Sequence, residues 1–223
     1  MLSTALSLAR FQGSDRCLDV VNKYLDKAQA YAAEGQWDLS GAYTATILME
    51  RTYRVYAEGL EGDQSRLIAS RGVGVWNEAL PGAINIEFVD KPELADIVIK
   101  YQPKVLVEGE DVYGYIDWTR TIGVRDGRLD GWAQATISVS TMETSRRKAT
   151  MDRLTHVTAH ELGHFLGLGD CDRKGSLMGP ALARPVLKPS FEEVETLQNM
   201  REEARRIRWQ AVFAQISRNR RKV

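Results

Sequence analysis

All three histidines of the chain, His156, His160 and His164, fall within nine residues, and two of them belong to the string His160-Glu161-Leu162-Gly163-His164. On a helix, residues four apart differ by about 400° of rotation and about 6 Å of rise. The imidazoles of His160 and His164 therefore project from one face and can converge on one ion. Glu161 is turned about 100° from His160, close enough to reach a water in the ion's first shell without being a ligand. The chemistry this pattern supports is metal-assisted hydrolysis, with Glu161 as the general base that takes a proton from a zinc-bound water as it attacks.

Catalytic zinc usually keeps three protein ligands and one open position, so a third donor is needed. Gly167 permits the left-handed backbone that stops a helix and folds the chain back. Three residues further on, Asp170 is then placed to reach the ion, with Cys171 and Asp172 as neighbouring alternatives. A carboxylate there leaves the bound water a little less acidic than a third neutral imidazole would. His156 completes an i, i+4, i+8 row with the other two histidines, but it lies about 12 Å from His164 along the helix axis. It reads as a packed histidine rather than a ligand.

These residues need a scaffold, and a chain of 223 residues with 43% hydrophobic and 27% charged residues can bury a core of ordinary size. Apolar spacing predicts a helix from Asp15 to Glu34 capped by Ser14, a strand over 51–57, a helix over 63–80 ended by the Pro-Gly at 81–82, and strands at 84–89 and 95–100. Strands follow at 112–119 and 133–141, joined by a loop with Asp126-Gly127 and Asp130-Gly131, then the histidine-bearing helix at 150–167. After a Gly- and Pro-containing loop, Ser190 and Glu193 form a capping box that opens a last helix. This order predicts an α+β fold with a mixed sheet.

Charge and composition narrow the partners. The 30 basic and 30 acidic side chains balance, which argues against non-specific nucleic-acid binding by the whole chain. The balance conceals a tail, 201–223, with a charge of +6 against −6 for the rest. No apolar run approaches the roughly 20 residues of a membrane-spanning helix, and the start MLSTALSLAR lacks the basic region of a signal peptide. Cys17 and Cys171 could form one bridge or stay as thiols. The acidic residues Glu108, Glu110, Asp111, Asp126 and Asp130 could hold Ca2+, with a solvated loop as the plainer reading.

The string HELGHFLGLGD followed by Gly175-Ser176-Leu177-Met178-Gly179-Pro180 resembles the metzincin zinc peptidases, and within them the matrixin-like group. The resemblance runs over roughly 48–200 and includes a helix with Trp76 near its end and the Ala95-Asp96-Ile97 strand. It implies a metzincin-like catalytic domain with a mostly parallel twisted sheet, an active-site helix, a methionine turn at Met178 and a C-terminal helix. It also implies one catalytic Zn2+ on His160, His164 and Asp170, with Gly167 and Met178 as structural support and Glu161 as catalytic residue. Most matrixins have histidine at the position of Asp170; an aspartate is similar to the snapalysin-type enzymes. No histidine remains for the structural zinc many matrixins carry.

The resulting expectation, by the family resemblance, is a secreted or extracytoplasmic, monomeric zinc endopeptidase acting on a polypeptide substrate. Residues 1–45 form an N-terminal helical segment, either a pro-segment or a packed extension, 46–200 the peptidase domain and 201–223 a basic helical tail. The substrate would pair with a sheet edge at 112–119, beside a pocket walled by Leu177, Ala181, Leu182, Val186 and Leu187. The alternatives are a zinc hydrolase of non-peptide amides or esters and a latent module blocked by Cys17.

Overall fold

The structure is a computed structural model that describes residues 6–13, 17–125, 127–144, 146–180 and 184–220, with side chains described for 20–125, 127–144, 146–180, 184–214 and 216–217. In chain order the elements are β1 (Leu6–Gly13), α1 (Cys17–Ala33), α2 (Trp37–Leu48), β2 (Thr52–Glu58), α3 (Gln64–Ala79), β3 (Asn85–Phe88), β4 (Ile97–Gln102), β5 (Val105–Val107), β6 (Glu110–Val112), β7 (Gly114–Arg125), β8 (Arg128–Ser140), α4 (Met151–Leu166) and α5 (Phe191–Arg220).

Strand residues alternate between buried and more exposed positions, as in β4, where Ile97, Ile99 and Tyr101 turn into the core. Six of the strands form one sheet in the order β1-β7-β8-β4-β2-β3, and β5 pairs with β6 apart from it. The run β3-β2-β4-β8 is parallel and β8-β7-β1 antiparallel. This is the expected α+β architecture with a mixed, mostly parallel sheet. Helices α2, α3 and α4 pack on the sheet, and α5 packs on α1 and α2. The helix that carries the histidines is fixed laterally by α3: Trp76 is fully buried and its indole N–H donates to the Ala159 carbonyl at 2.7 Å.

Three features differ from the expectation. The chain between α1 and β2 folds as α2, whose residues Ala42, Tyr43, Thr44, Thr46 and Ile47 are all buried. A helix enclosed on several sides has no polar face, so it lacks the amphipathic period that reveals a helix in sequence. The expected loop between the last two strands is instead the end of a long hairpin, paired through to Arg125↔Arg128. Gly131 is a strand residue in it: a Cβ there would collide with the Ala42 carbonyl, so the glycine admits α2 against β8. Finally, β1 adds to the outer side of β7. The expected divisions after residues 45 and 200 fall inside α2 and α5. Ser14, Asp15, Asp126, Ala181 and Leu182 lie outside the residues or side chains described.

Asp96, at the entry to β4, ties two parallel strands together. Its carboxylate accepts from the Arg54 amide at 3.0 Å and from the Arg51 and Arg54 guanidiniums at 3.0 and 3.3 Å. Burial opposes ionisation, but the Arg54 and Arg51 hydrogen bonds and charges more than offset it and hold the carboxyl below its ordinary value. A depressed folded-state pKa contributes stability that is present above the unfolded value of about 3.9 and lost as pH falls through the folded one. Both guanidiniums reach solvent, which screens the pair. Asp96→Asn should therefore cost about 1–3 kcal/mol in urea unfolding at neutral pH, and the loss should shrink below about pH 4. Equal losses at pH 7 and pH 3 would contradict this reading.

Candidate metal centre

Helix α4 is defined at both ends by its own sequence. Thr150 caps the start, its hydroxyl accepting from the Arg153 amide at 3.2 Å. Gly167 ends it with φ 115°, and its amide reaches the Gly163 and His164 carbonyls at 3.1 and 3.0 Å. A side chain at that φ is strained. From β7, the fully buried Arg120 donates to Thr46 O in the last turn of α2 and, at 2.7 Å, to Phe165 O in the last turn of α4. One guanidinium thus satisfies carbonyls that both helices leave over.

The reversal at Gly167 does two things at once. It places Leu168 so that its carbonyl accepts from His164 Nδ1 at 2.9 Å, and it returns the chain so that Asp170 faces the helix. His160 Nδ1 similarly donates to the Leu177 carbonyl at 2.8 Å. With both Nδ1 atoms engaged, each ring turns Nε2 to the same point. Asp170 Oδ1 lies 3.1 Å from His160 Nε2 and 3.5 Å from His164 Nε2. The donor atoms of the three residues lie within 4.8 Å of one another. Two Nε2 atoms oriented by carbonyls and one carboxylate oxygen fit a zinc ion, whose ligands sit about 2.0–2.2 Å from the metal.

The electrostatics agree with that fit. Burial disfavours a charged His160, but the Asp170 carboxylate, Glu161 and the Leu177 carbonyl outweigh it and push its pKa up to about 9. For Asp170, burial is again outweighed, by His160 and His164, and its pKa is lowered. The same grouping that favours a proton on His160 is chemically suited to a metal cation in its place.

The segment after Asp170 is pinned beneath the helix. Cys171 N donates to Met178 O at 2.9 Å, and Met178 is buried with its sulfur against Gly163, where a Cβ would collide with it. Gly163, inside the His160–His164 string, is therefore needed for close approach of the Met178 turn. The capping box of α5 also reaches into the site. Besides its reciprocal bonds with Ser190, the buried Glu193 carboxylate accepts from Met178 N at 2.7 Å and Leu177 N at 3.4 Å. The Leu177 carbonyl orients His160, so Glu193 supports the site through one peptide unit. Sequence spacing identified this glutamate as a cap, not as an anchor of the site.

The site opens into a cleft of about 380 Å³ lined by residues that include Tyr113, Gly114, His156, His160, Glu161, Asp170 and Cys171. Glu161 is buried on its wall against Gly114, where a Cβ would collide with Glu161 Oε1 and Val157. His156 is buried, with Nδ1 2.8 Å from the Val186 carbonyl, and is not one of the converging donors. Cys171 and Asp172 line the cleft but stand outside the three-donor cluster. Cys171 is half-buried and carries no disulfide among the described residues; the Cys17 side chain lies outside them. The calcium candidates Glu108, Glu110, Asp111 and Asp130 form no such cluster among the described residues. Asp111 pairs with Lys104, and Asp130 accepts from the Gly131 amide.

Glu193→Ala removes these anchoring bonds while leaving all three converging side chains in place. Thermal and urea unfolding should show a loss of about 1–3 kcal/mol, and a zinc competition titration should show weaker binding because His160 loses its fixed partner. Full retention of zinc affinity would mean that the Leu177–Met178 segment orients itself without Glu193.

Residues 45–200 match the family model described as matrixin. Over 189 residues the chain is 25% identical to Metalloendoproteinase 1-MMP of Arabidopsis thaliana, an alignment covering 83% of this chain and 50% of that protein. The chain thus spans about half the length of the curated relative it matches. With the mixed sheet, the histidine-bearing helix and the methionine beneath it in the matched span, this chain belongs to the matrixin family.

Proposed function

We propose that the protein is a zinc-dependent endopeptidase in which His160, His164 and Asp170 hold one zinc ion and Glu161 is the catalytic base. The observation that carries this reading is the convergence of two imidazole Nε2 atoms on one Asp170 oxygen at the floor of a cleft that Glu161 also lines. Membership of the matrixin family supports it, as does the name of the Arabidopsis relative. Zinc bound there supplies Lewis acidity toward a water and toward the carbonyl oxygen of the scissile bond.

The chain's own groups do the rest. Glu161 takes a proton from the attacking water and passes it to the leaving amine, so that one carboxylate serves as base and then as acid. Its position against Gly114 restricts the rotamers open to it, which keeps it aimed at the cleft. Asp170 contributes a negative charge and tempers the acidity of the site relative to three neutral imidazoles. Met178 and Gly167 hold the ligand geometry from below and behind. The substrate is a polypeptide taken in extended form, with its main chain alongside β7. An extracytoplasmic setting follows from the family resemblance; among the described residues no helix is long and apolar enough to cross a membrane.

The test is cleavage of an unfolded protein by the zinc-loaded full chain. Cleavage should be abolished by a chelator and restored by zinc. Glu161→Ala should retain the metal and lose about 10²–10⁴-fold in kcat, whereas Asp170→Ala should lose most of the metal. Gly114→Ala should keep the metal and lower kcat by displacing Glu161. Absence of cleavage by the zinc-loaded protein would refute the peptidase reading, and unchanged zinc occupancy in Asp170→Ala would move the third ligand to Cys171 or Asp172.

A further inference from the structure

Helix α5 is 30 residues long and carries apolar residues on two opposite sides. One side holds Leu197, Met200, Ala204, Ile207 and Ala211, all buried, where the helix packs on α1 and α2. Trp209, Val212, Phe213 and Ile216 fall on the other side, within about 100° of the helix circumference. They are exposed, Trp209 by 60% and Phe213 by 62%, and those two rings lie 5.8 Å apart. Ala211 is the last buried residue described along α5, yet the helix continues to Arg220, about 13 Å beyond it. Phe213 and Ile216 therefore stand past the last residue that the body buries. Single exposed apolar residues are ordinary, whereas a contiguous stripe of four, two of them aromatic, marks a contact surface. Charge follows the same division. Before Trp209 the cations of the helix are committed: Arg201 donates to the Gly82 and Ala83 carbonyls, Arg205 and Arg208 pair with Glu50, and Arg206 pairs with Glu203. From Trp209 to Val223 the sequence has four basic residues, Arg218, Arg220, Arg221 and Lys222, and no acidic one.

We infer that the distal part of α5 docks on an anionic lipid surface: Trp209, Phe213 and Ile216 enter the boundary between headgroups and acyl chains, and the basic residues at 218–222 supply the attraction to the headgroups. A helix lying in a membrane interface presents to lipid an apolar face of this kind, with Lys and Arg beside it. Trp is favoured at that boundary because its ring is apolar and its N–H is polar. A convex stripe on a projecting helix also meets a flat surface without needing a complementary groove. The same charges argue against a second copy of this chain as the occupant. Two such faces in contact would bring like charges together, with no acidic residue from 209 onward to offset them. The inference is independent of the peptidase reading, and it places the whole protein at a surface rather than free in solution.

The test is co-sedimentation of the full chain with vesicles of phosphatidylcholine alone and of phosphatidylcholine containing about one-third phosphatidylserine. Binding should require the anionic lipid and weaken steeply as salt is raised through about 0.15 M, where the Debye length is about 8 Å. Trp209→Ala and Phe213→Ala should each lower the partition coefficient about tenfold and leave the thermal midpoint unchanged, because both side chains are exposed. Joint replacement of Arg218, Arg220, Arg221 and Lys222 by glutamine should lower it at least as much and remove most of the salt dependence. Brominated lipid should quench the tryptophan fluorescence of the unaltered protein, and Trp209→Phe should lose most of that quenching, since Trp76 and Trp118 are fully buried. If an alanine variant does not fold, the quenching comparison decides. The inference is overturned by absence of binding to the anionic vesicles, by equal binding to the neutral ones, or by folded Trp209→Ala and Phe213→Ala variants that bind as before. A concentration-dependent dimer in ultracentrifugation, lost in Trp209→Ala and accompanied by no vesicle binding, would also overturn it and assign the stripe to a second copy.

Discussion

A single carboxylate oxygen held 3.1 Å from one imidazole nitrogen and 3.5 Å from another is the contact on which the rest of the site depends. Placing these groups together inside a partly buried cleft costs desolvation, which the proposed zinc ion between them would offset. Helix geometry aligns the two imidazoles, and two backbone carbonyls select the nitrogen each presents. The turn at Gly167 carries the carboxylate back over them. The raised affinity of His160 for a proton follows from the same arrangement, since a proton is the smallest occupant that satisfies it.

Much of the surrounding structure is explicable as support for that contact. Arg120 secures the C-terminal turns of α2 and α4 from the sheet side, and Trp76 secures α4 from α3. Gly163 lets Met178 come up beneath the helix, and Glu193 clamps the peptide unit whose carbonyl orients His160. None of these groups is a proposed ligand. Each removes a freedom that would let the three donors separate, and each is buried, so its partners are held in low dielectric, where a hydrogen bond is strongest.

What could be read from the sequence follows from how local each determinant is. The pairing of His160 with His164, the flanking Glu161 and the stop at Gly167 are set by helix geometry alone, and the capping box of α5 is equally local. The strands found at 52–58 and 97–102 were legible, at 51–57 and 95–100, from local runs of aromatic and β-branched residues. Helix α2 was not legible, because burial on several sides erases the polar face that marks a surface helix. The length of the β7–β8 hairpin was hidden by glycines that resemble loop residues; Gly131 serves an approach by α2 that sequence does not reveal. Gly114, Glu193 and Arg120 act on residues 15 or more positions away, and such long-range roles leave no periodic signal. The pairing of β1 with β7 belongs to the same class, since it joins residues more than 100 positions apart.

X-ray absorption of the zinc-loaded full chain measures the proposed ligand set most directly. A first shell of nitrogen and oxygen at about 2.0–2.2 Å, with imidazole back-scattering from two rings and a reduced shell in Asp170→Ala, is the expected result. A sulfur neighbour at about 2.3 Å would contradict it, because the metal would then rest on Cys171 or Cys17 rather than on two histidines and an aspartate with a position left open.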